Sequence, residues 1–300
     1  MILKISVPAK INLWLEVIRK RQDGYHDISS LMLPISVFDN ISIDVRPGGR
    51  DISITCDSPE IPSDERNLAW RAADLYVKCC SSTAGMNIHL EKHIPWGAGL
   101  GGGSSDAGGV LVALNSFFEN AVPPDDLERL ALSLGADVPF FLHSKPALAT
   151  GIGEKLQFAG KVPDYPLLLI KPPVTVPTGW VYQSLKLTKG LPQIRLNSFS
   201  ERPWQFQHLI ENDLEAVTVP RFPVIAELKR WLIRQGALAA SMSGSGPTVF
   251  GIFGTAQAAE DAQIIARKNW PDCWVHTAEV IGRAGGTGRW SMPPLGKRGA

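Results

Sequence analysis

Alternating apolar and polar positions predict a β-strand at the start of the chain. From Leu3 to Val17 apolar residues recur on odd positions, while the polar residues Lys10 and Asn12 fall on even ones. A period of two is typical of a strand that buries one face. Pro8 interrupts the run, and because proline cannot donate a ladder hydrogen bond it predicts a break or an edge there.

The same patterns predict further elements along the chain. Short strands are predicted in DNISIDVRP, DISITC, MNIHLEKHIP, DYPLLLI and CWVHTAEVI, and a strand, a glycine loop and a strand in ALAASMSGSGPTVFGIF. Helices are predicted in DERNLAWRAADLYVKCC, SSDAGGVLVALNSFF, PPDDLERLALSLG, PRFPVIAELKRWLIRQG and TAQAAEDAQIIARKNW, and glycines follow two of them. Strands and helices alternate without the strict regularity of a doubly wound sheet, which favours an α+β protein.

The chain is expected to form two domains followed by a tail. We place the first domain at residues 1–155 and the second at residues 156–282. Residues 283–300 are rich in glycine and basic side chains, so they are expected to form a flexible tail.

Composition indicates an ordinary globular protein of 300 residues, with 44% hydrophobic residues, 20% charged residues and a net charge of +1. This balance gives no sign of a nucleic-acid partner or an acidic membrane. We expect no membrane span and no signal peptide, because the apolar runs are short and charges interrupt the N-terminus. The four cysteines lack metal-ligand spacing, which indicates reduced thiols in a cytoplasmic protein.

The most unusual stretch is PWGAGLGGGSSDAGG, which has five glycines in the seven positions 97–103 and leads into a predicted helix. Glycines allow backbone N–H groups to converge on an anion, and a helix N-terminus adds free N–H groups and partial positive charge. Ser104 or Ser105 is expected to cap that helix. A phosphate site is favoured over a flexible loop that only packs against a neighbour.

Two common phosphate loops fit this stretch poorly. No lysine follows the glycines, as a Walker loop would require. Gly97, Gly99 and Gly102 satisfy G-x-G-x-x-G, which keeps a nicotinamide dehydrogenase as a second hypothesis. That match is weak, because the preceding strand alternates and no acidic strand end follows about 20 residues later.

Three motifs in order resemble those of the GHMP kinases. They are VPAKINLWLEV, PWGAGLGGGSSDAG and SMSGSGPTVFGIF. Together with RQDGYHDISSL and LGADVPFF, they are similar to the branch of that family that phosphorylates a cytidyl diphosphate sugar alcohol in the non-mevalonate route to isoprenoid precursors. The resemblance runs from Val7 to Val280. Gly108 and Gly109 stand where the family usually has alanines, which we expect to loosen the helix start.

The resemblance implies a fold, a nucleotide and a metal ion. It implies an N-terminal domain like ribosomal protein S5, a ferredoxin-like C-terminal domain, and an active site in the cleft between them. ATP and Mg²⁺ are the implied cofactors, with Ser105 as a metal ligand. The implied ATP-phosphate-binding residues are Pro95, Gly97, Ala98, Gly99, Leu100, Gly101, Gly102, Gly103, Ser104 and Ser105.

Phosphoryl transfer needs a group that orients the attacking hydroxyl and a cation near the transferred phosphoryl. Asp137, which follows a predicted helix end and is flanked by apolar residues, suits the first role as well as it suits a plain turn. The pattern alone gives Lys10 no role beyond a solvated lysine. The resemblance implies that Asp137 is catalytic, and that Lys10 holds it in its ionised form and polarises the substrate hydroxyl.

The resemblance also implies a substrate-binding set. Tyr25 and His26, in the predicted turn DGYH, would lie at the cytosine, and Tyr182 would stack on its other face, although Trp180 could take that place. Gly244 and Gly246 form a second tight loop that either supports the phosphate loop or approaches the substrate diphosphate. Asn12 completes the set.

The expected activity is therefore transfer of phosphate from ATP to a 2-hydroxyl of that sugar alcohol. Another small-molecule kinase of the family, such as a homoserine or mevalonate kinase, is the alternative. An inactive nucleotide-binding module is a third hypothesis, but both Lys10 and Asp137 are present. The expected partner is a small molecule, without nucleic acid or membrane, and the expected state is a monomer or weak homodimer.

Overall fold

The computed structural model describes residues 1–81, 83–186 and 210–282, and shows an α+β fold built on two sheets. The predicted tail, residues 283–300, lies outside the described residues. The strands are β1 (Ile2–Lys20), β2 (His26–Pro47), β3 (Ile52–Cys56), β4 (Ala84–Glu91), β5 (Ala147–Gly151), β6 (Lys155–Phe158), β7 (Pro166–Lys171), β8 (Ala239–Met242), β9 (Val249–Ile252) and β10 (Trp274–Glu279). The helices are α1 (Leu68–Cys79), α2 (Gly102–Phe117), α3 (Pro124–Leu134), α4 (Val138–His143), α5 (Thr178–Ser184), α6 (Glu215–Arg221), α7 (Val224–Arg234) and α8 (Ala256–Asn269).

The first sheet has six strands, in the order β3-β4-β2-β5-β6 with β1 paired to β2. The predicted interruption at Pro8 is confirmed, because the antiparallel register of β1 and β2 shifts between Pro8 and Ala9. Further shifts follow between Asn12 and Trp14 and between Val17 and Arg19. These irregularities bend β1, as bulges do. The sheet ends at Phe158, just beyond the predicted domain boundary at residue 155.

Strand β2 is much longer than the short strand that DNISIDVRP predicted. It begins at His26 and runs for 22 residues, pairing with β1 along most of its length and with β5 and β4 on its other edge. Its first half, from Ile28 to Ile35, is almost entirely buried. A strand that is buried on both faces has no alternation, so the pattern gave no strand signal there.

Helix α2 packs very closely against β1 and α4. A Cβ atom added at Gly109 would lie 2.3 Å from Cγ1 of Val7, and one at Gly108 would lie 2.7 Å from Cβ of Phe141. The expectation that these glycines loosen the helix start is therefore wrong. They allow the backbone of α2 to approach its neighbours. This contact fixes the helix that follows the predicted phosphate loop, which is defined as residues 95–105.

The second sheet has four antiparallel strands in the order β10-β7-β9-β8. Helices α5, α6 and α7 connect β7 to β8, and α8 connects β9 to β10. This βαββαβ arrangement is the ferredoxin-like order that the resemblance implied. The helix predicted in PRFPVIAELKRWLIRQG is divided: α6 ends at Arg221, and α7 begins after Pro223, which occupies its N-cap position.

A shared core joins the two sheets. Ile11 and Leu13 of β1 pack in the same cluster as Leu167, Leu169 and Phe250 of the second sheet. The second half of β1 is therefore buried between the two halves of the protein, which brings its polar residues to the cleft between them. Within the described ranges, no helix combines the length and the apolar character needed to cross a bilayer.

Candidate active site

A cleft of about 800 Å³ lies between the two halves of the protein. Residues that lie far apart in the sequence line it, including the glycine stretch, the predicted catalytic residues Lys10 and Asp137, and Gly244 of the second glycine loop. The predicted site residues among them are Lys10, Asn12, Tyr25, His26, Pro95, Gly97, Ala98, Gly99, Gly101, Gly102, Gly103, Ser104, Asp137, Tyr182 and Gly244. The cleft thus brings together most of the predicted site.

The glycine stretch forms a loop that ends at the first turn of α2. Gly97, Gly99 and Gly101 have φ values of 62°, 76° and 75°, a region that side-chain-bearing residues rarely adopt. Gly101 is the N-cap residue of α2, and no side chain caps the helix. The expectation of a serine cap is therefore wrong, and the N–H groups of the first turn keep no side-chain partner there, as an anion site requires.

Two predicted phosphate-binding residues turn away from the cleft. The hydroxyl of Ser105 is fully buried and donates to the carbonyl oxygen of Pro8 at 2.7 Å. Leu100 is buried in the core, and its carbonyl oxygen accepts from the backbone N–H of Lys10 at 2.9 Å. This placement corrects the expectation of Ser105 as a metal ligand, since its hydroxyl faces β1. Both residues anchor the loop to the strand that carries Lys10.

The second glycine loop packs directly against the first. A Cβ atom at Gly99 would lie 2.2 Å from the carbonyl oxygen of Ser243, so no side chain fits between the loops. The Ser243 hydroxyl donates to the carbonyl oxygen of Gly99 at 2.9 Å, and the Thr248 N–H donates to that of Ala98 at 3.3 Å. These contacts describe one of the two alternatives that the sequence left open, support of the glycine stretch by the second loop, and an approach to the substrate diphosphate stays a prediction. Gly246 does not line the cleft, whereas Gly244 does.

Lys10 and Asp137 meet in the cleft. The Lys10 ammonium lies 3.4 Å from Oδ2 of Asp137 and donates to Oδ1 of Asn12 at 2.6 Å. Lys10 is only 4% exposed, so it is not the solvated lysine that the pattern alone suggested. Asp137 follows the end of α3 at Gly135 and precedes α4, and its side chain is 37% exposed. A buried cation therefore faces an accessible carboxylate.

An aromatic pair lies in the cleft wall. The rings of His26 and Tyr182 are 5.4 Å apart and inclined by 32°, and Tyr25 beside them is 60% exposed. Burial, with a smaller contribution from Lys20, lowers the pKa of His26, and burial raises the pKa of Tyr182. Both side chains are therefore neutral near pH 7. Trp180 packs edge-on against Phe222 instead.

Sequence reasoning missed a buried charged cluster of Asp39, Lys92 and Asp106. The Lys92 ammonium donates to Oδ2 of Asp106 at 2.5 Å and to Oδ2 of Asp39. The other oxygen of Asp39 accepts from the N–H groups of His93 and Ile94, whereas Oδ1 of Asp106 is buried without a hydrogen-bond partner. Burial, only partly offset by Lys92, raises the pKa of Asp106 to about 7. The cluster ties both ends of the phosphate loop to β2.

Comparison with known proteins assigns the family. The GHMP kinases N terminal domain matches residues 67–145, and the GHMP kinases C terminal domain matches residues 198–272. A 4-diphosphocytidyl-2-C-methyl-D-erythritol kinase of Geobacter sulfurreducens is 42% identical over 269 residues, which cover 89% of this chain and 96% of the relative.

Solved structures agree with this assignment. A crystal structure of 4-(cytidine 5'-diphospho)-2C-methyl-D-erythritol kinase superposes with a TM-score of 0.77 at 35% identity, covering 92% of this chain and 99% of that one. A homoserine kinase from Cytophaga hutchinsonii gives a TM-score of 0.71 at 20% identity, covering 94% of this chain and 96% of that one. At this identity the similarity concerns the fold alone. The chain belongs to the GHMP kinase family.

Proposed function

We propose that this protein transfers a phosphoryl group from ATP to the 2-hydroxyl of 4-diphosphocytidyl-2-C-methyl-D-erythritol, giving the 2-phosphate and ADP. This reaction belongs to the non-mevalonate route to isoprenoid precursors. The observation that carries the proposal is that one cleft holds the glycine loop, the Lys10–Asp137 pair and the His26–Tyr182 pair. The identity to kinases of that name over most of the chain supports the choice of substrate.

The glycine loop is proposed to bind the phosphates of ATP. The first turn of α2 points N–H groups without side-chain caps toward the cleft, and Gly97 and Gly103 leave open space there. A Cβ at Gly97 would meet nothing within 4 Å, and one at Gly103 only Leu68 at 3.7 Å. This space and the partial positive charge of the helix end suit a polyanion.

Asp137 is proposed to accept the proton of the attacking 2-hydroxyl. Its carboxylate reaches the cleft. Asp137 is the N-cap residue of α4, but its side chain makes no capping hydrogen bond, so its oxygens are available to a substrate. Lys10, buried beside it, is proposed to polarise the same hydroxyl and to stabilise the negative charge that spreads over the transferred group. Asn12 holds the Lys10 ammonium through its amide oxygen, which fixes the cation in place.

The aromatic residues are proposed to hold the cytosine. A neutral His26 presents a flat face and both a donor and an acceptor to the base. Tyr182 contacts His26, and the exposed Tyr25 can close over the base from the other side. Because Trp180 packs against Phe222, we propose Tyr182 rather than Trp180 as the stacking residue.

Mg²⁺ is proposed to bind together with ATP, and the residues present fit this ion. Mg²⁺ usually binds through one or two carboxylates and the phosphates of its substrate. Asp106 lines the cleft, and its Oδ1 lacks a hydrogen-bond partner, so this residue would supply such a carboxylate. The described residues hold no cluster of three or more potential ligands, so we infer that the ion enters with the nucleotide. When bound, it screens the charge of the phosphates.

We further propose a cytoplasmic enzyme that is a monomer or a weak homodimer. Cys56, Cys79, Cys80 and Cys273 are all free thiols, which supports a reducing compartment. Size-exclusion chromatography with light scattering over a range of concentrations tests the oligomeric state.

Formation of ADP by the purified protein, with each candidate acceptor in turn, tests the substrate. We expect turnover with 4-diphosphocytidyl-2-C-methyl-D-erythritol and none with homoserine or mevalonate. Phosphorus NMR of the product should show a phosphomonoester beside the unchanged diphosphate. Turnover with homoserine or mevalonate, and none with the cytidyl compound, would assign the chain to another branch of the family.

A further inference from the structure

The hydroxyl of Ser243 lies between two parts of the proposed catalytic machinery. It donates to the carbonyl oxygen of Gly99 in the phosphate loop at 2.9 Å, and it accepts from the backbone N–H of Asn12 in β1 at 3.3 Å. Ser243 is fully buried and does not itself line the cleft. It can therefore act on the reaction only through these neighbours.

The two neighbours of Ser243 are also joined through Lys10. The Lys10 N–H donates to the carbonyl oxygen of Leu100, next to Gly99, and its ammonium donates to the side chain of Asn12. Gly99, Ser243, Asn12 and Lys10 thus close a ring of contacts. One side of the ring carries the loop that is proposed to bind the phosphates of ATP, and the other side holds the Lys10 ammonium, which faces Asp137.

The C-terminal half holds Ser243 firmly. Its N–H donates to the carbonyl oxygen of Thr248 at 2.9 Å, and its carbonyl oxygen accepts from Gly246 at 3.0 Å. On either side of it, the amide of Asn212 donates to the carbonyl oxygens of Met242 at 2.8 Å and Gly244 at 2.7 Å. Ser243 therefore has a fixed position, and its hydroxyl attaches the loop at Gly99 and strand β1 at Asn12 to the C-terminal half.

We propose that Ser243 is a positioning residue that aligns the phosphate loop with Lys10, and through Lys10 with Asp137. This inference rests on the proposed function. In-line transfer requires the phosphoryl group and the attacking hydroxyl to be correctly placed, and a displacement of about 1 Å can cost about 10²-fold in rate. Without the hydroxyl, the carbonyl oxygen of Gly99 and the N–H of Asn12 lose their common partner.

The test compares Ser243→Ala with Ser241→Ala. Ser241 is also fully buried, lies two residues earlier on β8, and donates to Oε1 of Glu215 at 3.2 Å, outside the cleft. Both variants lose one buried hydroxyl, so both are expected to lower Tm. Only Ser243→Ala is expected to lower kcat, by about 10- to 100-fold, with the KM of the cytidyl substrate within about threefold of the wild type.

A third variant separates the hydroxyl from the size of the side chain. Ser243→Thr retains the hydroxyl and is expected to recover most of kcat, whereas Ser243→Ala does not. Normal kcat in the Ser243→Ala enzyme would overturn the proposal. So would a loss of kcat in Ser241→Ala that is as large as the loss in Ser243→Ala. Wild-type turnover of the cytidyl substrate is measured first, because its absence overturns the proposed function instead.

Discussion

The ammonium group of Lys10 lies 3.4 Å from the carboxylate of Asp137, although the two residues belong to β1 and to the turn before α4. Lys10 is buried, and its contact with Asn12 limits where its ammonium group can point. The phosphate loop is attached to the same strand through the carbonyl oxygen of Leu100. The Lys10–Asp137 pair and the glycine loop are therefore both held by β1.

The first prediction is that Lys10 and Asp137 act as a unit. We expect Lys10→Met to lower kcat by about 10²- to 10³-fold, because it removes a fixed charge from the transition state. Combined with Asp137→Asn, it should cost little more than the more damaging single change. Steady-state kinetics of the two single variants and the double variant measure this, with Lys4→Met on the exposed face of β1 as the control. Fully multiplicative losses would show that the two residues act independently.

The second prediction concerns the open space in the phosphate loop. Gly103→Val should raise the Kd of ATP by about 10- to 100-fold, because the added side chain enters the cleft without straining the helix. Calorimetry with a non-hydrolysable ATP analogue measures this. Gly160→Val, where a Cβ meets nothing within 4 Å and which lies outside the cleft, is the control. Unchanged affinity in Gly103→Val would place the phosphates elsewhere.

Gly101 is a poor position for that test. Its φ is 75°, and a Cβ there would lie 2.8 Å from the ring of Phe141 and 3.1 Å from Cγ of Lys10. A valine at this position should therefore disturb Lys10 and the fold in addition to the phosphate site.

The third prediction assigns the stacking residue. Tyr182→Ala should raise the KM of the cytidyl substrate about tenfold and leave the KM of ATP unchanged, because the ring faces His26 rather than the glycine loop. Trp180→Ala should change neither constant much, since Trp180 contacts Phe222. If Trp180→Ala has the larger effect on the cytidyl substrate, the assignment is wrong.

The fourth prediction follows from the raised pKa of Asp106, about 7, which burial produces against the attraction of Lys92. In the unfolded chain an aspartate ionises near pH 4, so between about pH 4 and pH 7 the folded state binds more protons than the unfolded state. The contribution of Asp106 to stability is therefore present at low pH and is lost as pH rises through about 7.

Asp106→Asn removes this dependence and keeps an acceptor for Lys92. In metal-free buffer, the Tm of the variant minus the Tm of the wild type should increase by a few degrees between pH 5 and pH 8, because only the wild type loses the contribution of Asp106. Differential scanning calorimetry at several pH values measures it. A difference in Tm that stays constant over this range would contradict the assigned pKa.

Much of the site could be predicted from local sequence, and the rest required the fold. The glycine stretch and the start of α2 follow from residues 95–105, because backbone freedom and helix ends are local properties. Lys10 was proposed only by resemblance, since nothing in an alternating strand distinguishes a buried lysine from a solvated one. Asp137 was a candidate from its position after a helix end, which suits a plain turn equally well. The cluster of Asp39, Lys92 and Asp106 was missed because its residues lie far apart, on β2, just after β4 and on α2, and each alone looks like a surface charge.

The contact between the two glycine loops also could not be predicted from local sequence. Their sequences show that both are tight, but only the structure shows Ser243 against Gly99. The length of β2 was missed for a related reason, because its first half is buried on both faces and has no alternation.

The central claim is tested most directly by Asp137→Asn, measured by single-turnover kinetics with ATP and 4-diphosphocytidyl-2-C-methyl-D-erythritol. The substitution keeps the size of the side chain and removes its charge. Because the glycine loop and the aromatic residues would still bind both substrates, we expect nearly unchanged affinities and a rate of phosphoryl transfer lower by about 10²- to 10⁴-fold. A folded variant that transfers phosphate at nearly the wild-type rate would contradict the account.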